Sequence, residues 1–196
     1  MSKKPIPAPA SPAAPPVALA RPSWLPPHVP YNDNWDTFIR ALYIIFERDF
    51  KQGYPRFRTL PIWHNRRIER EDKYQFEEAF WHLVTRYEWV YNRSTRHDMK
   101  ERYPDPERAG RLPWAKPILD YEADSEVTAW DCDEESTRGG GTVVRTYVWL
   151  KKYDYVVILE RQKKERGDIF MLITAFISSF EGKRRDLESR YERRRK

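Results

Sequence analysis

The chain has 196 residues, with 36 Lys+Arg against 30 Asp+Glu and a formal charge of +6. Its length suffices for a single core of ordinary size, and with a mean hydropathy of −0.88 and no long apolar run, no membrane-spanning helix is expected. One cysteine, Cys132, excludes an intramolecular disulfide framework and a Cys-rich zinc site, and fits a reducing compartment. Aromatic residues make up 15% of the chain, including eight Trp, which argues against general disorder because such side chains need a core or a stacking surface.

Ten of the 16 prolines fall within residues 1–30. Proline fixes φ and removes a backbone donor, so residues 1–32 are expected to form an extended, disordered tail. The only clean apolar stretch there is residues 17–20, too short for a signal-peptide core, which predicts a retained tail and a cytoplasmic protein. A single domain is expected over residues 33–196.

Asn34 and Asp36 can start a helix reaching about Phe50, with Phe38, Leu42, Ile45 and Phe46 on its apolar face. Residues 57–63 read as a short strand that Pro61 places at an edge. The spacing of Phe76, Ala79, Phe80, Leu83, Val84 and Tyr87 predicts a second helix over residues 74–90. Residues 92–113 are polar, with prolines at 104, 106 and 113, and read as a loop. Four strand-like runs follow, at 127–131, 142–150, 153–160 and 169–177. Their short connections permit antiparallel pairing only, so a meander is expected. Residues 180–195 read as a charged terminal helix with a narrow stripe of Phe180, Leu187 and Tyr191. Helices first and strands later give an α+β fold.

The charge is unevenly placed. Residues 1–30 hold three basic and no acidic residues, residues 181–196 hold eight basic and four acidic, and the body between them is close to neutral. Any handling of nucleic acid should therefore rest on a few placed cations rather than on a broad basic surface.

His82 falls off the predicted apolar face, beside Glu78, Thr85 and Arg86 at helical spacing. An imidazole there can shuttle protons near neutral pH; the plainer alternative is a surface histidine in an ion-paired helix. His64, next to Asn65, Arg66 and Arg67, is either a second acid/base or phosphate-contacting group, or a solvated loop residue. In Arg111-Leu112-Pro113-Trp114-Ala115-Lys116-Pro117 two prolines stiffen a segment carrying an Arg and a Lys, which suits a phosphate undergoing transfer. Equally, it reads as a structural turn with Trp114 plugging the core. Thr174 interrupts an apolar strand face, either as a phosphate contact or as an ordinary β-branched residue. The acidic run Asp131, Asp133, Glu134 and Glu135 lacks a calcium-loop pattern and reads as a solvated loop. No P-loop, GxSxG, HExxH or dinucleotide fingerprint occurs.

Four motifs recur in a distinctive order: Phe80-Trp81-His82-Leu83-Val84-Thr85-Arg86, then residues 111–117, then Asp154-Tyr155-Val156-Val157-Ile158-Leu159-Glu160, then Leu172-Ile173-Thr174-Ala175-Phe176. A basic end with Arg184, Arg185, Leu187 and Tyr191 follows. The series resembles the phage-associated nucleases of the Barnase–EndoU–Colicin–RelE superfamily, small metal-independent ribonucleases, over roughly residues 57–195. The chain departs from it at Phe176, where relatives often carry Tyr.

The resemblance implies cleavage of RNA, tRNA among the candidates, by attack of the 2′-hydroxyl to leave 2′,3′-cyclic phosphate and 5′-hydroxyl ends. It implies no metal and no cofactor, catalytic roles for His82, Arg86, Arg111, Lys116 and Thr174, and substrate contacts from His64, Trp81, Thr85, Trp114, Arg184, Arg185 and Tyr191. A toxin or defence effector restrained by an inhibitor or antitoxin protein is the expected setting. The rival expectation is a non-catalytic RNA-binding or protein-interaction module on the same fold, with Trp63, Trp81 and Trp89 stacking bases.

Overall fold

A computed structural model describes residues 21–71, 73–94, 96–136, 140–178 and 181–195. The Asn34 side chain accepts a hydrogen bond from the Thr37 amide at 3.0 Å and caps α1, Trp35–Phe46. Phe38, Ile39, Leu42 and Phe46 bury one face of this helix. Its last turn widens into a π-helical turn at Glu47–Gln52 that stops at Gly53, close to the expected end.

The chain then forms β1 (Arg56–Phe57) and β2 (Leu60–His64), a ribbon of β3 (Ile68–Glu71) and β4 (Tyr74–Glu77), and α2 (Glu78–Val84). Next come β5 (Thr85–Asn92) and β6 (His97–Pro104), then α3 (Pro106–Ala109), a 3-10 turn at Leu112–Trp114 and α4 (Ala115–Asp120). The C-terminal part holds β7 (Val127–Glu135), β8 (Thr142–Leu150), β9 (Tyr155–Lys164), β10 (Gly167–Ile177) and α5 (Glu181–Glu192).

The six-stranded sheet has the order β1-β2-β10-β9-β8-β7. Strands β7 to β10 form the expected antiparallel meander. The sheet as a whole is mixed, because β2 runs parallel to β10, setting Ile62 opposite Phe170 and His64 opposite Leu172. The short-connection argument speaks only of neighbours in sequence, and this pairing joins strands about a hundred residues apart.

Two expectations fail in the middle of the chain. Residues 74–90 are a strand, a seven-residue helix and a second strand. The helix ends because Thr85 turns extended (φ −128°, ψ 164°) and its hydroxyl donates to the Trp81 carbonyl at 2.6 Å. Beyond it, the alternation of Tyr87, Trp89 and Tyr91 is a strand period that helical spacing partly mimics. Residues 92–113, expected as a loop, contain β6, α3 and the 3-10 turn. Asp105 caps α3, accepting from the Arg108 amide at 3.1 Å, and Pro106 sits at its start, where proline is tolerated.

The tail boundary also moves. Residues 1–20 lie outside the described residues, but residues 21–32 dock on the body instead of forming a free tail. Leu25 is buried in the main core, Trp24 stacks on Tyr121 with ring centroids 5.0 Å apart, and Trp114 Nε1 donates to the Pro26 carbonyl at 2.8 Å. Gly110 permits the approach: a Cβ there would meet the Val29 carbonyl oxygen at 2.5 Å.

Both faces of the sheet are packed, but unequally. One face carries Leu150, Tyr155, Val157 and Leu159 against Phe46, Phe80, Leu83 and Ile118 of the helices. On the other, α5 covers Trp130, Tyr147, Trp149, Val156 and Ile158 with Leu187. Burying each such large side chain contributes about 1.5–3 kcal/mol. The acidic run expected as a loop lies wholly within β7. Asp131 accepts from Thr146 at 2.7 Å, and Glu134 pairs with Arg190 and Tyr147.

Candidate active site

Strand β2 ends beside Leu172, and β10 shifts register between Leu172 and Thr174. The edge of β10 beyond that point is therefore met by the end of α2, not by a strand. Thr174 Oγ1 donates to the His82 carbonyl at 3.0 Å. Arg108 of α3 brackets the same junction. Its Nε donates to the Ala175 carbonyl at 2.7 Å, Nη1 to the Thr85 carbonyl at 2.6 Å, and Nη2 to Thr174 Oγ1 at 2.7 Å and to the His82 carbonyl. No carboxylate pairs with this guanidinium among the described residues. Burial lowers its pKa from the usual arginine value, and the four acceptors compensate for its lost hydration.

At this junction a cleft of about 680 Å³ opens. His82 on its α2 wall lies with Nε2 3.5 Å from Glu78 Oε1. Glu78 is held in turn by Asn65 Nδ2, which donates to Oε2 at 2.6 Å. Burial pulls the His82 pKa below 6.5, and Glu78 opposes the shift without reversing it. The imidazole is accordingly neutral near pH 7 and able to accept a proton. His64, from β2, lines the same cleft. Its Nε2 is buried and finds no hydrogen-bond partner among the described residues. Burial likewise lowers its pKa.

The sheet forms the cleft floor. Arg145 and Glu160, opposite each other on β8 and β9, pair at 3.0 Å, and Gln162 Nε2 donates to Glu160 Oε1 at 2.6 Å. With Arg66, Lys100, Arg108 and Lys164, the lining carries five cations against the two carboxylates Glu78 and Glu160. The surplus is local, in a body whose net charge is close to zero. Among the described residues no three His, Cys, Asp or Glu side chains converge in a way that could hold a metal ion, and no helix is long and apolar enough to cross a membrane.

No family model, characterised protein or solved structure matches the chain.

Of the residues singled out from sequence, His64, His82, Thr85 and Thr174 line the cleft. Thr85 and Thr174 spend their hydroxyls on backbone carbonyls. The others lie elsewhere. Arg86 was expected one helical turn from His82, but α2 stops at Val84, and Arg86 pairs with Glu88 at 2.7 Å on the exposed ribbon. Arg111 lies over the Trp114 ring, 5.3 Å from its centroid, and pairs with Glu107 at 3.3 Å; Lys116 pairs with Asp120. Trp114 and Trp81 are buried, and Trp81 Nε1 donates to the Glu69 carbonyl, so Trp81 cannot stack a base. Arg184, Arg185 and Tyr191 belong to α5, outside the cleft; Arg184 pairs with Asp154 and Tyr191 edges onto Trp130.

Arg145 and Glu160 were missed although a signal existed. Arg145 shares strand parity with Tyr147 and Trp149, and Glu160 with Val156 and Ile158, so each puts a charge on an otherwise apolar face. Arg108 left no such mark, because its role depends on contacts across 66 residues of sequence.

Proposed function

We propose that the chain is an endoribonuclease that needs no metal, acting through the His82 cleft on a fold of the Barnase–EndoU–Colicin–RelE type. One observation carries the reading: a histidine held by a carboxylate shares a single cleft with a local surplus of cations. That combination suits a phosphodiester whose own 2′-hydroxyl is the nucleophile, since the protein then has only to move protons and stabilise charge.

His82 accepts the proton of the 2′-hydroxyl as its oxygen attacks phosphorus. Lys100, Lys164 and Arg66 face the negative charge that builds on the non-bridging oxygens, while the Arg145–Glu160 pair shapes the floor. His64 in its protonated form delivers a proton to the departing 5′-oxygen. The P–O5′ bond breaks as the P–O2′ bond forms, leaving a 2′,3′-cyclic phosphate and a 5′-hydroxyl. Arg108 and Thr174 position His82 by fixing its carbonyl.

The test is incubation with total RNA in excess EDTA, followed by analysis of the ends. Fragments with cyclic phosphate ends, lost in His82→Ala, are expected. Undiminished cleavage by folded His82→Ala protein overturns the mechanism. Binding without cleavage favours the non-catalytic RNA-binding alternative.

A further inference from the structure

Strands β5 and β6 form an antiparallel ribbon that, among the described residues, pairs with no other strand. None of its described residues between Arg86 and Pro104 is buried. A two-stranded ribbon has little core of its own, yet one face of this one carries Tyr87, Trp89 and Tyr91 at alternate positions. Residues directly opposite in an antiparallel pair share a face, so Lys100 (opposite Trp89), Arg102 (opposite Tyr87) and Asp98 (opposite Tyr91) join them. Arg102 is already paired with Glu69 and Glu71 at the foot of the ribbon, which leaves Lys100 as the cation of this face. Lys100 Nζ sits 4.5 Å from the centroid of the Tyr87 ring.

The foot of this face belongs to the cleft, because Tyr87 and Lys100 line it. Further along the ribbon, Trp89 is 72% exposed and Tyr91 59% exposed. At the tip, Arg93 and Arg96 are exposed and make no ion pair among the described residues. The other face has its charges occupied within the ribbon, by Arg86 with Glu88 and by Glu101 accepting from Tyr103.

We infer that the aromatic face of the β5–β6 ribbon is a track for single-stranded RNA, continuous with the cleft, on which bases flanking the reacting phosphate stack. This rests on the reading of the cleft as a site for RNA. Same-face residues on a strand repeat at about 6.8 Å, which gives each successive base its own ring to stack on. Aromatics interleaved with cations suit single-stranded nucleic acid, because every base offers a π-face and every linkage a charge. The tip arginines extend the track to phosphates further along the strand.

The test uses the full chain carrying His82→Ala, so that RNA is bound but not cut, and a fluorescein-labelled 12-residue oligouridylate read by anisotropy. Adding Trp89→Ala or Tyr91→Ala should each weaken binding about 5- to 150-fold, and Trp89→Tyr should restore most of the loss. Arg93→Ala with Arg96→Ala should flatten the salt dependence by about 0.7 in log–log slope for each phosphate contact removed. Binding unaffected by both aromatic substitutions, or no binding by the parent, overturns the track.

With His82 intact, the same aromatic variants separate the two readings. Cleavage of the 12-mer that ignores Trp89 and Tyr91 leaves a nuclease without the track. Binding that depends on Trp89 and Tyr91 in a protein that never cleaves leaves the track without the nuclease.

Discussion

One face of the sheet has two halves built from the same strands. Along β8 and β9, Tyr147, Trp149, Val156 and Ile158 lie under α5, whereas Arg145, Glu160, Gln162 and Lys164 floor the cleft. In the covered half the charged groups are matched: Glu134 takes Arg190 and the Tyr147 hydroxyl, and Arg190 also pairs with Asp186. In the open half they are not, and five cations face two carboxylates around two histidines whose pKa values burial lowers. A sheet face that ends in balanced pairs is finished by its own chain. One that ends in surplus charge, with proton-accepting groups held in place, is complementary to an anion from outside.

The contrast is broken most directly at the histidines, where the largest effect is expected. His82→Ala should cost about 10²- to 10⁴-fold in kcat/KM without lowering the folding midpoint beyond the range of an ordinary surface change. His64→Gln should show a loss that depends on the leaving group. It should be large for a dinucleotide and small for a uridine 3′-phosphodiester with a p-nitrophenol leaving group, which departs without a proton. Equal losses on both substrates would remove His64 as the acid.

The covered half should respond in the opposite way. Leu187 is 1% exposed beneath Trp130 and Trp149, and Leu187→Ala should destabilise the fold by about 2–5 kcal/mol. Thermal unfolding reads this as a lower Tm, while the activity per folded molecule stays unchanged. Loss of activity without loss of stability would mean that α5 takes part in the site.

A smaller effect concerns pH. The pKa values of His82 and His64 are both lowered by folding, so the unfolded chain binds protons more readily. Their contribution to stability is therefore full above about pH 6.5 and declines as pH falls through and below that value. The acid limb of kcat/KM should lie below 6.5, since His82 works unprotonated. Glu78→Gln removes the carboxylate that raises the His82 pKa and should move that limb further to acid. A shift towards neutrality would show that Glu78 does not act on His82 in this way.

Legibility in the sequence followed the range of the interactions. The capped start of α1, the meander β7 to β10 and the terminal helix all rest on local periodicity and turns. The parallel partner of β10, the break at Thr85 and the docking of residues 21–32 rest on contacts between distant segments, which no window of sequence contains. The site divided in the same way. His82 and Glu78 are one helical turn apart and were visible as neighbours. Arg86 failed because the same rule was carried past the end of the helix, and Arg108 was invisible because its partners are His82, Thr85, Thr174 and Ala175.

Arg108 and Arg111 stand three residues apart and sharpen the contrast with the smallest effect of all. Arg111, like Lys116 and Arg86, has its charge matched by a nearby carboxylate outside the cleft. Such pairs are screened and contribute little. Alanine at any of these three positions should leave kcat/KM within about threefold of the parent, in line with the small energies of exposed ion pairs. Arg108→Met should differ in kind, because it removes the guanidinium donor from the Thr85 and Ala175 carbonyls and leaves the His82 carbonyl to Thr174 alone. It should lower both stability and activity, and the activity should return in part with Arg108→Lys, which restores a charge at the bracket but not its fork. A loss at Arg111 as large as that at Arg108 would place the 3-10 turn in the site and erase the distinction between balanced and surplus charge on which the cleft was identified.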